Sequence, residues 1–343
     1  MDAHEVVLSV QDLARHFPVR GAGLSREKPV VRALDGVSFD LRKGETLGVV
    51  GESGCGKSTL ARTIVGLERP TSGRVLFRGT DVHRTSARQM PALRRQVQIV
   101  LQDPYASLNP RRTLRDALMQ PFEIHRDLLP RAKRMARVQE LVELVGLNPD
   151  HLDRYPFQFS GGQRQRIGIA RALSVEPEVI VCDEPVSALD VSIQAQVVNL
   201  LQRLQAELGL AYVFIAHDLS VVRHISDRIA VMYLGRVAEI GSGHDVYASP
   251  AHPYTEALLS AVPVPDPARR GMAGRRLLAG DPPSPVDPPS GCRFRTRCWL
   301  ATEACAAVEP LLGGVHPSTR APHHVACHHP LTAPELVTST KDF

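Results

Sequence analysis

Residues 51–59 read Gly51-Glu52-Ser53-Gly54-Cys55-Gly56-Lys57-Ser58-Thr59, and this stretch decides the fold. It fits the phosphate-loop pattern G-x-x-x-x-G-K-[ST], with Gly51, Gly56, Lys57 and Ser58 at the fixed positions. Its flanks agree. Thr46-Leu47-Gly48-Val49-Val50 is a short apolar run suited to a buried strand, and Leu60 to Val65 reads as a helix that stops at Gly66. Strand, glycine loop and helix together predict backbone N–H groups curled round phosphates, reinforced by the helix N-terminus. Ser53, Gly54, Cys55 and Thr59 line the same cradle. Lys57 is placed to reach the β- and γ-phosphates, and the Ser58 hydroxyl to ligate Mg²⁺.

The chain of 343 residues has room for one large domain and a smaller one, and its 43% hydrophobic content supports a substantial core. Net charge is +5, with a pI near 9.0. Charges of both signs are interspersed, which fits a solvated, arginine-rich surface better than a nucleic-acid or membrane face. The start, Met-Asp-Ala-His-Glu, lacks a basic region followed by an apolar one. No stretch approaches the ~20 apolar residues that span a bilayer. The expectation is a soluble protein, or one held at a membrane by partners. Cys55 and Cys182 lie beside nucleotide motifs, which points to the reducing cytosol.

Val6–Val10, Val37–Leu41, Gly73–Phe77 and Val97–Leu101 read as strands. Met135, Val138, Val142 and Val145 recur at helical spacing, with Arg131, Lys133, Arg134 and Arg137 outside, so residues 113–155 read as a helical insertion in an α/β framework. Val179 to Cys182 form an apolar strand ending in Asp183 and Glu184. Ile193, Val197, Leu200, Leu204 and Leu208 mark the core side of a helix. Tyr212–Ala216 is a strand with His217 at its end, and Ile229–Leu234 and Val237–Ile240 bracket a hairpin turn. Near residue 250 the composition shifts. Asp281-Pro282-Pro283-Ser284-Pro285 and Asp287-Pro288-Pro289 read as extended linker.

Ligands of α/β proteins bind at strand ends, and several chemically apt residues sit there. Asp183 can hold Mg²⁺, Glu184 can polarise an attacking water as general base, His217 can contact the γ-phosphate, and Gln102 ends a further strand. Ser160-Gly161-Gly162-Gln163 opens a helix. This segment resembles the signature sequence of ABC-type ATPases, with Phe159 where leucine is commonest. The order of motifs over residues 5 to about 245 is similar to that superfamily throughout. Phe17 resembles the aromatic that stacks on adenine, Gln102 the Q-loop, Asp183 the Walker B aspartate, Glu184 the catalytic glutamate, Asp190 the D-loop aspartate in Ser187-Ala188-Leu189-Asp190, and His217 the switch histidine.

A narrower resemblance is to the ATPases of oligopeptide/dipeptide importers. It rests on Phe39 to Thr59, on Gln102-Asp103-Pro104-Tyr105-Ala106-Ser107-Leu108-Asn109-Pro110, on Ala188 to Gln196, and on His252-Pro253-Tyr254-Thr255-Glu256-Ala257-Leu258-Leu259. The His-Phe-Pro-Val start and the loop before Val31 look like the second, F-type member of their ATPase pairs. The resemblance implies an α/β fold of the ABC P-loop NTPase type: a mixed-sheet core, an antiparallel β subdomain and a helical subdomain over about residues 105–160, within an ATPase domain of residues 1–250. Residues 251–343 form the C-terminal extension. It also implies ATP as substrate and Mg²⁺ held by Ser58, Gln102 and Asp183. Implied partners are a second, paralogous ATPase, two transmembrane permeases and an extracytoplasmic peptide-binding protein, with no nucleic acid. The implied location is the cytoplasmic face of the cell membrane, peripherally. Ser160 to Gln163 would act on the partner's ATP, and Asp103 to Pro110 would line the groove that receives the permease coupling helix. A soluble ABC ATPase working on DNA or ribosomes fits less well, since the sequence offers no second fused ATPase core, long coiled-coil insertion or zinc module inside the core, and a non-catalytic nucleotide-binding regulator fits less well, since Lys57, Asp183, Glu184 and His217 are all in place.

Cys292, Cys298, Cys305 and Cys327 follow the spacing C-x5-C-x6-C-x21-C. Four thiolates can hold structural zinc or an iron–sulfur cluster, and the spacing does not choose between them. The importer resemblance implies a [4Fe-4S] cluster; zinc is the alternative. Arg293, Arg295 and Arg297 are read as offsetting the cluster's negative charge, and His323, His324, His328 and His329 as mostly solvated.

Overall fold

The computed structural model describes residues 5–19, 29–103, 108–261, 278, 280–315 and 322–331. The glycine-rich loop before Val31 lies outside these residues, as does Pro104–Ser107 of the expected coupling groove. In chain order the strands are β1 (Val6–Pro18), β2 (Val30–Arg42), β3 (Thr46–Val50), β4 (Ser72–Phe77), β5 (Thr80–Asp81), β6 (Val97–Val100), β7 (Val179–Asp183), β8 (Ala211–Ile215), β9 (Arg228–Tyr233), β10 (Arg236–Ser242), β11 (Gly314–Val315) and β12 (His324–Val325).

β3, β7 and β8 are buried at every position. Continuous apolar runs of this kind suit strands covered on both faces, and these three lie side by side in a mixed sheet of order β11-β12-β10-β9-β3-β8-β7-β6. From β9 to β6 the neighbours run parallel, whereas β10, β12 and β11 join antiparallel. A second, antiparallel sheet of order β2-β1-β4-β5 packs over one face. Its Leu8, Leu13, Leu34 and Leu41 share a core with Leu47 and Val49 of β3 and Leu60 and Ile64 of the Lys57–Ile64 helix. The opposite face is covered by helices.

β1 and β2 run well past the Val6–Val10 and Val37–Leu41 segments expected from alternation. Each is interrupted where the pattern breaks. Asp12 has φ 46° at a register shift between Val10 and Leu13, and Gly36 has φ 95°. Bulges of this kind flip the alternation and hide the second half of a strand from a period-two reading.

The helical insertion is present. Thr113 caps the Leu114–Ile124 helix through a capping box with Asp116. Gly146, at φ 70°, follows the end of the Arg131–Leu144 helix. Leu118, Phe122, Val138 and Leu141 join the core of Ile167 and Leu173 from the Gly161–Leu173 helix. In the Val191–Leu208 helix, Val197, Leu200 and Leu204 face the core as expected, but Leu208 is 50% exposed because the helix ends there at left-handed Gly209.

The C-terminal extension shares the ATPase core. β12 pairs with β10, matching Glu239 with Val325 and Ile240 with His324. Buried Phe294 packs against Tyr233, Tyr254 and His252. The fully buried Glu239 carboxylate accepts the N–H groups of Ala251 and His252 and bonds the His323 ring at 2.7 Å. His323 is therefore interior, contrary to the solvated reading: it wedges against Gly241 beneath the sheet edge. Burial pushes His252 down to about 4, so its ring stands neutral and its Nδ1 accepts the Tyr254 N–H at 3.0 Å. Among the described residues no helix is long and apolar enough to cross a membrane.

Candidate functional site: a phosphate-binding cavity

β3 feeds residues 51–56 directly into the Lys57–Ile64 helix. Gly56 caps that helix at φ 108°, and a Cβ there would lie 2.1 Å from the Ala33 carbonyl oxygen, so the position demands glycine twice over. Lys57 Nζ donates to the carbonyls of Gly51 at 2.7 Å and Glu52 at 3.0 Å, with buried Cys55 Sγ at 3.9 Å. The Ser58 hydroxyl donates to Asp183 Oδ1 at 3.1 Å, joining the loop to the end of β7. Burial pushes the Asp183 carboxyl up, and the Ser58 bond opposes it. A buried carboxylate beside a hydroxyl is an oxygen donor set short of a cation, which fits Mg²⁺.

Glu184 holds the left-handed conformation, φ 47°, unusual for a side chain of its size. Its N–H bonds the Ile215 carbonyl at 3.0 Å, which ties this turn to the end of β8. The carboxylate accepts from Gln102 Nε2 at 2.9 Å, and His217 Nδ1 stands 3.7 Å from the same oxygen. Residues from four strand ends thus converge. Ser53, Gly54, Gly56, Lys57, Ser58, Thr59, Gln102 and Glu184 line one cavity of about 270 Å³, open to solvent. Phe17 does not line it directly. The residue paired with Phe17 across β1 and β2, Val31, does, and the Arg15 guanidinium lies 4.2 Å over the Phe17 ring.

Ser160 to Gln163 are not brought to this cavity. Ser160 caps the Gly161–Leu173 helix, its oxygen accepting the Gln163 N–H while Gln163 reaches back to the Ser160 N–H. This helix N-terminus opens on a separate cleft with Leu147, Arg166 and Ile193. Asp190 caps the neighbouring Val191–Leu208 helix through its carbonyl, which accepts the N–H groups of Ile193 and Gln194. The D-loop begins at Ser187, whose hydroxyl donates to the Glu184 carbonyl at 3.1 Å.

Cys292, Cys298, Cys305 and Cys327 come together in the extension. The Cys292 N–H donates to the Cys305 carbonyl at 2.7 Å, and Cys327 lies close enough to feel the other three thiols electrostatically. Leu300 and His329 direct N–H groups at the sulfurs of Cys298 and Cys327, at 3.4 and 3.3 Å. Burial pushes Cys292 and Cys298 up, and Cys327 up to about 12. Among the described residues, no three Cys, His, Asp or Glu side chains are grouped closely enough to hold a single metal ion.

The arginines between these cysteines have partners outside the cysteine group. Arg293 pairs with Asp35 and donates to the Leu234 carbonyl, Arg295 bonds Ser290, and Arg297 forms a two-pronged pair with Glu52 at 2.7 and 3.0 Å. Carboxylates of the ATPase core thus reach Arg293 and Arg297 where the extension docks. Nothing in the local sequence around Glu52 signals this pairing, since the partner lies 245 residues away. A larger cleft of about 370 Å³ between β10 and the extension, lined by Tyr233, Arg236, Cys292 and Phe294 among others, carries no phosphate loop.

Comparison with known proteins bears on the whole chain. Residues 34–187 match the ABC transporter family, and residues 238–305 match the oligopeptide/dipeptide transporter C-terminal region. The chain is 55% identical over 322 residues to the putative oligopeptide transport ATP-binding protein YkfD of Bacillus subtilis, covering 94% of this chain and 95% of that one. It is 52% identical to the oligopeptide transport ATP-binding protein OppF of Salmonella typhimurium, with coverage of 92% and 95%. Among solved structures it resembles cbiO1 from Clostridium perfringens, part of the ABC transporter complex cbiONQ (TM-score 0.61, 30% identity, 72% of this chain and 92% of that one). It also resembles a dimeric ATP-binding cassette in a post-hydrolysis state with ADP and Pi (TM-score 0.60, 28% identity, 68% and 98%).

Proposed function

The chain belongs to the ABC transporter family of ATP-binding proteins, in its oligopeptide/dipeptide branch, and from that premise we propose that it is the ATP-hydrolysing subunit of a peptide importer. The observation that carries the proposal is the convergence of Lys57, Ser58, Glu184 and Gln102 from separate strand ends on one cavity, with Asp183 joined to it through the Ser58 hydroxyl. Lys57 and the loop N–H groups hold the phosphates. Ser58, Asp183 and the Gln102 amide oxygen would hold Mg²⁺, which would supply charge neutralisation at the phosphates. Glu184 accepts a proton from the attacking water, and His217 orients toward the γ-phosphate. Phe17 supplies a ring beside the nucleobase at the Val31 edge.

The signature cleft is separate from this cavity within one chain, so Ser160, Gly161, Gly162 and Gln163 cap a partner's ATP. That partner is a second, paralogous ATPase. The pair sits on the cytoplasmic face of two membrane-spanning permeases fed by an extracytoplasmic binding protein. The extension's four cysteines hold a [4Fe-4S] cluster. Backbone N–H groups directed at the sulfurs of Cys298 and Cys327 support thiolate ligands, and zinc is the alternative occupant.

One purification tests these assignments together. The chain is isolated anaerobically with its membrane partners, reconstituted, and assayed for metal and for ATPase activity. The expected result is two co-purifying permeases, about four irons per chain, and ATP turnover that rises when peptide-loaded binding protein is added. Peptide-independent turnover without membrane partners contradicts the import reading, and protein free of iron contradicts the cluster.

A further inference from the structure

We infer that Tyr254 and Arg297 of the C-terminal extension are positioning residues of the nucleotide site, acting on the phosphate loop through Glu52. The inference rests on the ATP-site reading above. Every polar part of Glu52 is engaged. Its N–H donates to the Tyr254 hydroxyl at 2.8 Å. Its carboxylate receives both prongs of the Arg297 guanidinium, at 2.7 and 3.0 Å. Its carbonyl accepts from Lys57 Nζ at 3.0 Å and from the Cys55 N–H at 3.3 Å. The ammonium that must meet the phosphates therefore rests on the Gly51 carbonyl at 2.7 Å, whose own peptide N–H is the one held by Tyr254, and on the carbonyl of Glu52, whose side chain is clamped by Arg297.

The holders are themselves rigid. Tyr254 is fully buried, with its ring centre 4.7 Å from that of Tyr233 and 5.4 Å from that of Phe294. The Arg297 side chain is 6% exposed and has the Tyr233 hydroxyl 3.5 Å from Nη1. A two-pronged guanidinium–carboxylate pair fixes orientation as well as distance, which a single charge does not. A glycine-rich loop has much conformational freedom to lose on binding, and pinning Glu52 in advance removes part of that loss. The extension reaches the site a second time. The Pro285 carbonyl accepts the Arg32 N–H at 3.0 Å, and Pro285 lines the phosphate cavity beside Val31 and Ala33.

The test measures Mg-ATP affinity by calorimetry, together with thermal midpoints, on the full chain. Arg297→Ala and Glu52→Ala are each expected to weaken binding about tenfold, and the double variant no further, as for two ends of one link. Tyr254→Phe, which keeps the packing, is expected to weaken it about threefold. Arg297→Lys is expected to fall between wild type and Arg297→Ala, because it keeps charge but not the fork. If Arg297→Ala does not fold, the Tyr254→Phe and Arg297→Lys affinities decide. A lowered thermal midpoint with wild-type affinity in these variants overturns the inference and leaves the extension a purely structural brace. Additive losses in the double variant overturn it too. Lys57→Ala serves as the reference for the site: its retaining wild-type affinity refutes the ATP site itself, a failure distinct from that of the Glu52 link.

Discussion

Glu184→Gln is expected to lower ATP turnover by about 10²–10⁴-fold while Mg-ATP binding stays close to wild type. The amide keeps the volume and an acceptor oxygen for Gln102 Nε2, so the pocket wall is preserved. What is lost is the ability to take a proton from water. Asp183 and Ser58, the proposed Mg²⁺ ligands, are untouched. The two measurements are a nucleotide-binding titration and a single-turnover hydrolysis assay on the same preparation. Undiminished hydrolysis removes Glu184 as the base. Loss of binding instead assigns it a role in holding nucleotide. The left-handed backbone of Glu184 adds a reason to expect a clean result: the Glu184 N–H to Ile215 bond fixes the turn independently of the side chain's charge.

Gly162→Ala is expected to separate binding from turnover in another way. A Cβ at position 162 would fall 2.4 Å from Ile193 Cγ2, closer than packed carbons can stand. Ile193 is β-branched and sits in the first turn of the Val191–Leu208 helix, next to the D-loop, so it has little room to yield. Either the signature turn or the D-loop must shift. The phosphate cavity of the same chain shares no lining residue with the signature cleft, so its own ATP affinity should hold. Turnover in the assembled pair should fall by about 10–100-fold, the scale of a one-ångström misplacement of a reacting group's neighbour. A loss of ATP affinity in the isolated chain contradicts the separation of the two clefts.

The chemistry of the site was legible because its residues sit at strand ends inside short local patterns. The Ser58–Asp183 contact joins residues 125 apart, yet each half announces itself, one by the glycine loop and the other by an apolar strand ending in two acids. The central strands were legible for the same reason: β3, β7 and β8 are unbroken apolar runs. What sequence hid is non-local. β1 continues past Val10 only through the bulge at Asp12, where alternation reverses. Arg293 and Arg297 sit among cysteines in the sequence, which suggested a cluster environment, and His323 among histidines read as mostly solvated. Their partners are Asp35, Glu52 and Glu239, chosen by how the extension docks. Charge alone does not reveal which of several carboxylates an arginine will meet. Phe17 lies in the part of β1 beyond that bulge, so neither its pairing with Val31 at the pocket nor the Arg15 guanidinium over its ring is signalled by the local sequence.

The central claim is that Lys57 and its loop form half of a nucleotide site, the other half being a signature segment on another chain. ATP then favours the closed pair because it touches both chains there, and hydrolysis removes that advantage. The most direct test is the specific ATPase rate measured against protein concentration, with molar mass determined in the same solution, with and without the co-purifying ATPase partner. The account predicts a rate per chain that rises with the fraction of paired chains and vanishes as the protein dilutes to monomers. A strictly monomeric chain that hydrolyses ATP at the full rate, independent of concentration, would contradict it.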